Sequence, residues 1–282
     1  MTCHCDDVIE DFKGAVIQHG KYNDRIYLMK MTRFASFDIP MELLDLASSK
    51  GYSKIFAKVP ASMESDFSSA GYTEEARIPG FFNGQEAAVF MVYYINPERS
   101  NEAEADKMSD VLKVSRNKSV IEDLPELNGK NIIRRCHKTD IPIMASLYSN
   151  VFPSYPFPVS DQQYLLKTME SHVAYFCLDT DEGLAALSSA EVDREYLNVE
   201  MTDFATLPEY RGKNLGQRLL IFMESEMRNE GIKTAYTIAR SLSYGMNITF
   251  SRQRYQYAGR LKNNTNISGN IESMNVWHKR LD

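Results

Sequence analysis

From residue 131 onward the apolar positions switch between two periods, and each switch marks an element. NIIRRCHKTD opens as a short strand, and DIPIMASLYSNVF then takes up helical spacing behind Asp140 as N-cap, with Pro142 in the first turn. A second helix, SDQQYLLKTMES, follows the proline-rich turn FPSYPFP. HVAYFCLDT, LAALSSAEVD and LNVEMTDFATL read as strands, with turns at Thr180-Asp181-Glu182-Gly183 and Arg194-Glu195, and three strands in succession predict an antiparallel meander. In LGQRLLIFMESEMRNEG, Leu215, Leu219, Phe222, Met223 and Met227 recur at intervals of three or four on one helix face, and Gly231 supplies the stop. Strand KTAYTIAR, helix YGMNITFSRQ and strands YQYAGRLKN and ESMNVWHKR complete the chain, the last two separated by the loop NTNISGNI. The order β-α-α-β-β-β-α-β-α-β-β predicts an α/β chain of the α+β kind, a mixed sheet with helices on its faces.

The pattern also divides the chain. NPERSNEAEADKMSDVLKVSRNK, residues 96–118, is polar, charged and free of aromatic residues, which predicts a linker or an exposed helix. The expected units are therefore an N-terminal α/β domain, 1–120, and a second domain, 131–282. The two resemble each other. At an offset of 180, Lys50-Gly51-Tyr52-Ser53-Lys54-Ile55-Phe56 parallels Glu230-Gly231-Ile232-Lys233-Thr234-Ala235-Tyr236, and at 183 Met91-Val92-Tyr93-Tyr94 faces Met274-Asn275-Val276-Trp277. The first half's counterpart of the segment before the long helix, Met31-Thr32-Arg33-Phe34-Ala35-Ser36, has no glycine.

Composition narrows the class. Of 282 residues, 43% are hydrophobic and 25% charged, and no apolar run approaches the length of a membrane span. MTCHCDDVIEDFKG has neither the basic region nor the apolar core of a signal peptide, so a cytoplasmic protein without membrane association is expected. A net charge of −6 without a Lys/Arg cluster argues against nucleic acid as a partner and favours a cationic or neutral small molecule. Cys3, Cys5, Cys136 and Cys177 form no disulfide framework, and Cys3-His4-Cys5 lacks the second ligand pair that structural zinc needs; neither disulfide nor metal is expected. Oligomeric state stays open, a homodimer included.

The candidate chemistry lies in LPEYRGKNLGQRLL, residues 207–220. A helix entrance presents unpaired backbone N–H groups and the positive end of the helix dipole, and Gly212 and Gly216 clear the approach while Arg211 and Lys213 add charge. Such a turn suits a pyrophosphate, although it matches neither the Walker nor the Rossmann spacing. Arg211-Gly212-Lys213-Asn214-Leu215-Gly216, between a strand and a helix, resembles the acyl-CoA-binding motif of GCN5-related N-acetyltransferases, Arg/Gln-x-x-Gly-x-Gly/Ala. Asn214 replaces the middle glycine; it is the non-glycine type that best tolerates left-handed backbone. The element order from Asn131 to Asp282 follows the same family's plan. Further segments, among them Met246-Asn247, Tyr255-Gln256-Tyr257, Asn263-Asn264, Ile267-Ser268-Gly269 and Glu272-Ser273-Met274-Asn275-Val276-Trp277, with Ile78-Pro79-Gly80-Phe81-Phe82-Asn83-Gly84 in the first half, are similar to the branch of that family that acetylates β-lysine to the compatible solute Nε-acetyl-β-lysine.

The resemblance implies acetyl-CoA as co-substrate, no metal, and direct attack of an amine on the thioester in a ternary complex. It implies that Phe204, Ala205 and Thr206 hold the acetyl carbonyl and pantetheine, that residues Gly212 to Gln217 hold the pyrophosphate with Arg211, and that Asn247 and Phe250 adjoin the cofactor. Glu200 stands at the family spacing for the base. Phe250 occupies the place of the usual acid, a tyrosine, so Tyr255 and Tyr257 are the substitutes considered. A dibasic amino acid also needs polar partners, for which Asp203, Asn263, Asn264 and Glu272 are candidates. Another small amine, a protein N-terminus, or an inactive acyl-CoA sensor are the alternative readings.

Overall fold

The computed structural model describes residues 7–32, 35–121, 124, 131–153, 155–267 and 269–282. The first half runs through β1 (Val8–Phe12), β2 (Ala15–Gly20), β3 (Arg25–Met31), α1 (Ile39–Lys50), β4 (Lys54–Pro60), α2 (Glu64–Ser69), β5 (Thr73–Phe82), β6 (Glu86–Tyr94) and α3 (Ala105–Arg116). The second runs through β7 (Ile132–Arg135), α4 (Ile141–Val151), α5 (Gln162–Met169), β8 (Val173–Thr180), β9 (Gly183–Asp193), β10 (Asn198–Thr206), α6 (Leu215–Asn229), β11 (Thr234–Arg240), α7 (Tyr244–Arg252), β12 (Gln256–Ile267) and β13 (Asn270–Arg280). Among the described residues these strands form one sheet, ordered β1-β2-β3-β4-β6-β5-β12-β13-β11-β10-β9-β8-β7.

The meander β8-β9-β10 is antiparallel, as the pattern predicts, and β10 then pairs parallel with β11. β11, β13 and β12 pair antiparallel. On the other side, β1 to β6 repeat that succession of senses, including a parallel β3-β4 pair. In the two parallel pairs Tyr27 opposite Phe56 corresponds to Glu200 opposite Tyr236, and the cross-strand neighbours Gln18 and Glu191 also correspond.

Apolar spacing on α6 places Leu215, Leu219, Met223 and Met227 in a core with β8, β9 and β10. Each such side chain contributes about 1.5–3 kcal/mol on leaving water. α4 and α5 cover the opposite face of those strands, and α1 packs on β3 and β4. A further core joins the halves, with Tyr27, Phe56 and Phe90 meeting Tyr236, Met274 and Val276. At the joint β5 meets β12 where Gly259 faces Ala76, and φ is 147° at Gly259. A Cβ there would lie 2.1 Å from the Glu75 carbonyl oxygen, so only glycine permits this approach. Buried Lys54 fastens the joint, donating to the carboxylate of Glu75 and to the carbonyl of Lys262. The sheet also turns back on itself: Lys30 meets Asp193 at 3.2 Å, and Asn83 N–H donates to Tyr196 O at 2.7 Å.

Two expectations change. Within 96–118, α3 buries Met108, Val111 and Ser115 and packs along α7, so most of this polar stretch is an amphipathic helix seated on the second half. The segment NTNISGNI is mostly strand: β12 runs to Ile267, and a register shift between Leu261 and Thr265, with Asn263 at φ 40°, accommodates the extra residues. Cys136 and Cys177 are buried and unbonded, whereas Cys3-His4-Cys5, Arg33, Phe34 and Ser268 lie outside the described residues. No helix among the described residues is long and apolar enough to cross a membrane.

Candidate active site

Strand pairing between β10 and β11 ends at Glu200 opposite Tyr236, although β10 continues to Thr206 and β11 to Arg240. The strands therefore part, and a register shift between Thr202 and Ala205 with Asp203 at φ 53° bends β10 away. Backbone of Phe204, Ala205 and Thr206 borders the opening. Beyond it the chain turns into α6 through Arg211, Gly212, Lys213 and Asn214, all exposed. Gly212 has φ 79° and Asn214, the N-cap, φ 57°, so the asparagine occupies the left-handed region that a glycine would otherwise serve. The helical ladder begins with Arg218 N–H on Asn214 O, leaving the N–H groups of Leu215, Gly216 and Gln217 outside it. Gly216 has no side chain to obstruct them, and the nearest atom to a Cβ there would be Phe204 at 3.9 Å. An open strand edge leading to free helix N–H groups and two cations fits a pantetheine arm ending in a pyrophosphate.

On the sheet face beside the opening lies a cavity of about 120 Å³ lined from both halves. From β9 and β10 it receives Glu191, Glu200 and Asp203; from β3 and β4 it receives Arg25, Tyr27 and Lys58. A neighbouring cavity of about 290 Å³ shares Met29 and Lys58 with it, but the carboxylate cluster lies in the smaller one. Glu191 and Glu200 are direct cross-strand partners, a placement that puts like charges close together. Burial pushes the Glu191 carboxyl up to about 8, with the charges of Glu200 and Asp203 adding to the rise. Burial also raises Glu200, but only to about 6, because Lys58 and hydrogen bonds from the Tyr236 hydroxyl and Ile238 N–H favour its anion. Asp203 is raised by burial against hydrogen bonds from Ser189, Tyr155 and Thr202. Lys58 donates to the Tyr236 hydroxyl at 3.3 Å, completing a chain from ammonium through phenol to carboxylate. Near neutrality the pair thus shares one proton and one negative charge, and Lys58 favours the anion at Glu200.

The structure separates the sequence candidates. Glu200, Asp203 and Asn264 share the cavity. Glu272 does not: it forms a two-pronged ion pair with Arg240. Asn263 is turned away, its amide donating to the carbonyls of Arg99 and Asn101. Asn247 is fully buried and its amide is fully used, donating to Arg240 O and Ser243 O and accepting from Asn275 and Trp277, so it anchors α7 and has no capacity left for a cofactor. Phe250 is a core side chain, edge-on to Phe204 and Tyr255. The Tyr255 hydroxyl is buried in that core toward Glu224, where burial raises its pKa well above the phenol range, and it lies outside the cavity. Tyr257 packs edge-on to Trp277 beside Arg260, outside the cavity. The side chain of Gln217 is buried on Thr249 O, so only its backbone faces the loop.

Glu191, Lys58, Arg25, Tyr155 and Tyr236 line the cavity although the pattern of the chain does not single them out. Glu191 was within reach: once Arg194-Glu195 is the turn, hairpin register sets Glu191 opposite Glu200. Arg25 and Lys58 carry no such signal, because only the folding back of the sheet brings β3 and β4 to β10.

A strand pair opened at a bulge, a helix entrance with N–H groups outside the helical ladder and a carboxylate-lined cavity beside the opening are the features that acyl transfer from a CoA thioester to an amine requires. Known proteins agree. Residues 142–243 match the model of the Acetyltransferase (GNAT) family. A β-lysine N(6)-acetyltransferase of Methanococcus maripaludis is 37% identical over 96% of this chain and 98% of its own. The N-acetyltransferase YodP of Bacillus subtilis is 30% identical over 95% and 96%. A second β-lysine N(6)-acetyltransferase, of Methanosarcina mazei, is 30% identical over 86% and 97%. The chain belongs to the GNAT acetyltransferase family. It is an acetyl-CoA-dependent N-acetyltransferase of the GNAT fold.

Proposed function

We propose that the protein transfers acetyl to the N6 amine of β-lysine, forming Nε-acetyl-β-lysine, with the second half as the catalytic domain and the first as a repeat that lacks the CoA loop and roofs the amine cavity. The observation that carries this reading is the cavity itself, in which one half provides carboxylates and the other cations, as a dibasic amino acid requires. Near-full-length similarity to two β-lysine N(6)-acetyltransferases supports the same substrate.

Acetyl-CoA supplies the activated acetyl group. Its pyrophosphate lies against the N–H groups of residues 212–217 and Arg211, and its pantetheine arm along Phe204, Ala205 and Thr206. The substrate arrives as an ammonium, drawn in by Glu200 and Asp203. Glu200, ionised at neutral pH, takes the proton directly or through one water, and the freed amine attacks. Lys58, through Tyr236, holds the Glu200 anion in place for that task. Neither Tyr255 nor Tyr257 takes the place of Phe250 as acid; the thiolate, a good leaving group, is protonated through solvent at the mouth of the opening by the second proton that the attacking nitrogen sheds as the intermediate collapses.

The test is release of free thiol from acetyl-CoA by purified protein with β-lysine, lysine, spermidine and an N-terminal peptide in separate reactions. The expected result is turnover preferring β-lysine, with the acetyl group at N6 by NMR of the product. Preference for the peptide or the polyamine would sink this reading.

A further inference from the structure

Arg25 stands apart from the other cations of the molecule. It is 4% exposed, its guanidinium lies 5.5 Å from the ring centres of both Tyr27 and Phe56, and it lines the amine cavity. Among the described residues no carboxylate pairs with it. Asp7, whose charge reaches it, is occupied by the N–H groups of Tyr22 and Asn23 and by the Asn23 amide. Among the described residues only Nη1 of Arg25 makes hydrogen bonds, with Asn264 O and Thr265 Oγ1; Nε is buried without a partner there, and Nη2 makes no hydrogen bond. Nε and Nη2 are the two parallel donors of one guanidinium edge, the geometry that accepts a carboxylate with both oxygens.

Beside it lies a complementary orphan. Asn264, 1% exposed, also lines the cavity, and its Oδ1 is buried without a partner among the described residues. A protein that leaves a buried cation and a buried acceptor unmatched forgoes stability at both, and each is matched at once by a ligand that carries an anion next to an ammonium. Gln18 and Tyr27 line the same end of the cavity, at the positions that Glu191 and Glu200 hold in the other half.

Resting on the β-lysine reading, we infer that Arg25 and Asn264 form the subsite for the amino-acid end of the substrate: the Nε–Nη2 edge of Arg25 binds the carboxylate, and Asn264 Oδ1 accepts from the neighbouring ammonium. The first half of the chain thereby determines that the substrate is an amino acid and not a diamine. It also determines which amine reacts. With the ammonium next to the carboxylate held at Asn264, the far amine is the one delivered to Glu200, and acetylation falls on N6.

The experiment compares each amino acid with the diamine it becomes on losing its carboxylate: β-lysine with 1,4-diaminopentane, and lysine with 1,5-diaminopentane. The native enzyme should prefer the carboxylated member of whichever pair it acetylates by about 10²-fold or more in kcat/KM, because a buried guanidinium built for an anion rejects a ligand without one. Arg25→Gln should bring that ratio close to unity through a rise in KM, and Arg25→Lys should restore part of it. The ratio is insensitive to a general loss of folded protein. A native enzyme that takes the diamine as readily as the amino acid overturns the subsite even while acetyl transfer to β-lysine stands. So does an Arg25→Gln enzyme that keeps the full ratio. Acetylation of none of the four compounds overturns the substrate reading and the subsite together.

Discussion

At Glu200, one carboxylate sits between an attraction and a repulsion. Lys58 and Tyr236 favour its anion, while burial and Asp203 oppose it, and the balance lies near 6. Glu200→Gln is expected to lower kcat by about 10²–10⁴-fold and to abolish the acid limb of the pH profile of kcat/KM. Lys58→Met should keep that limb but move it above pH 6, since the lost charge is one that lowers the Glu200 pKa; initial rates from about pH 5 to 9 distinguish the two. Asn214 is the second informative residue. Its φ of 57° suits asparagine or glycine and penalises a β-branched side chain. Asn214→Gly should leave acetyl-CoA affinity unchanged or slightly improved by calorimetry, whereas Asn214→Val should lower the thermal midpoint by an amount worth about 1–2 kcal/mol and weaken binding.

Among the elements, the joint between β5 and β12 is the most exacting. Gly259→Val would drive a branched side chain into Glu75 O and Ala76, and should cost about 3 kcal/mol or more in denaturant unfolding. Because this joint connects the two halves that line the cavity, on the proposed site KM for the amine should rise more than the dissociation constant of acetyl-CoA. The same joint marks where sequence ceases to be informative. Elements built by local signals are legible: the meander, and α6 with its Gly231 stop. The loop from Arg211 to Gly216 is legible for the same reason, since a turn into a helix is short-range chemistry. Asn247 and Glu272 were misleading because a polar side chain on a motif looks identical whether it faces a ligand or anchors a helix. Only the fold shows that Trp277, Asn275 and Arg240 occupy them. Arg25 and Lys58 belong to the remainder, being brought to the site by an interface between halves that share no local pattern with the loop.

Across the whole molecule, the carboxylate pair ties stability to pH. Glu191 and Glu200 have folded values of about 8 and 6, both above the ordinary 4.5. The folded state therefore retains protons that the unfolded chain has released, and stability falls as pH rises from about 4.5 toward 8. The thermal midpoint of the unliganded protein should decline between about pH 5 and 8, and Glu191→Gln should flatten that decline; a midpoint that rises over this range contradicts the assignment. A basic substrate, placing its own positive charge between the carboxylates, should offset the loss and stabilise most at the alkaline end. The cavity with one wall from each half has a consequence for how such an enzyme can diversify. On the proposed site, substitutions on β2 and β3 reach the amine cavity without touching the bulge or the loop into α6, so selectivity can drift toward other amino acids while the acyl-transfer machinery is inherited intact.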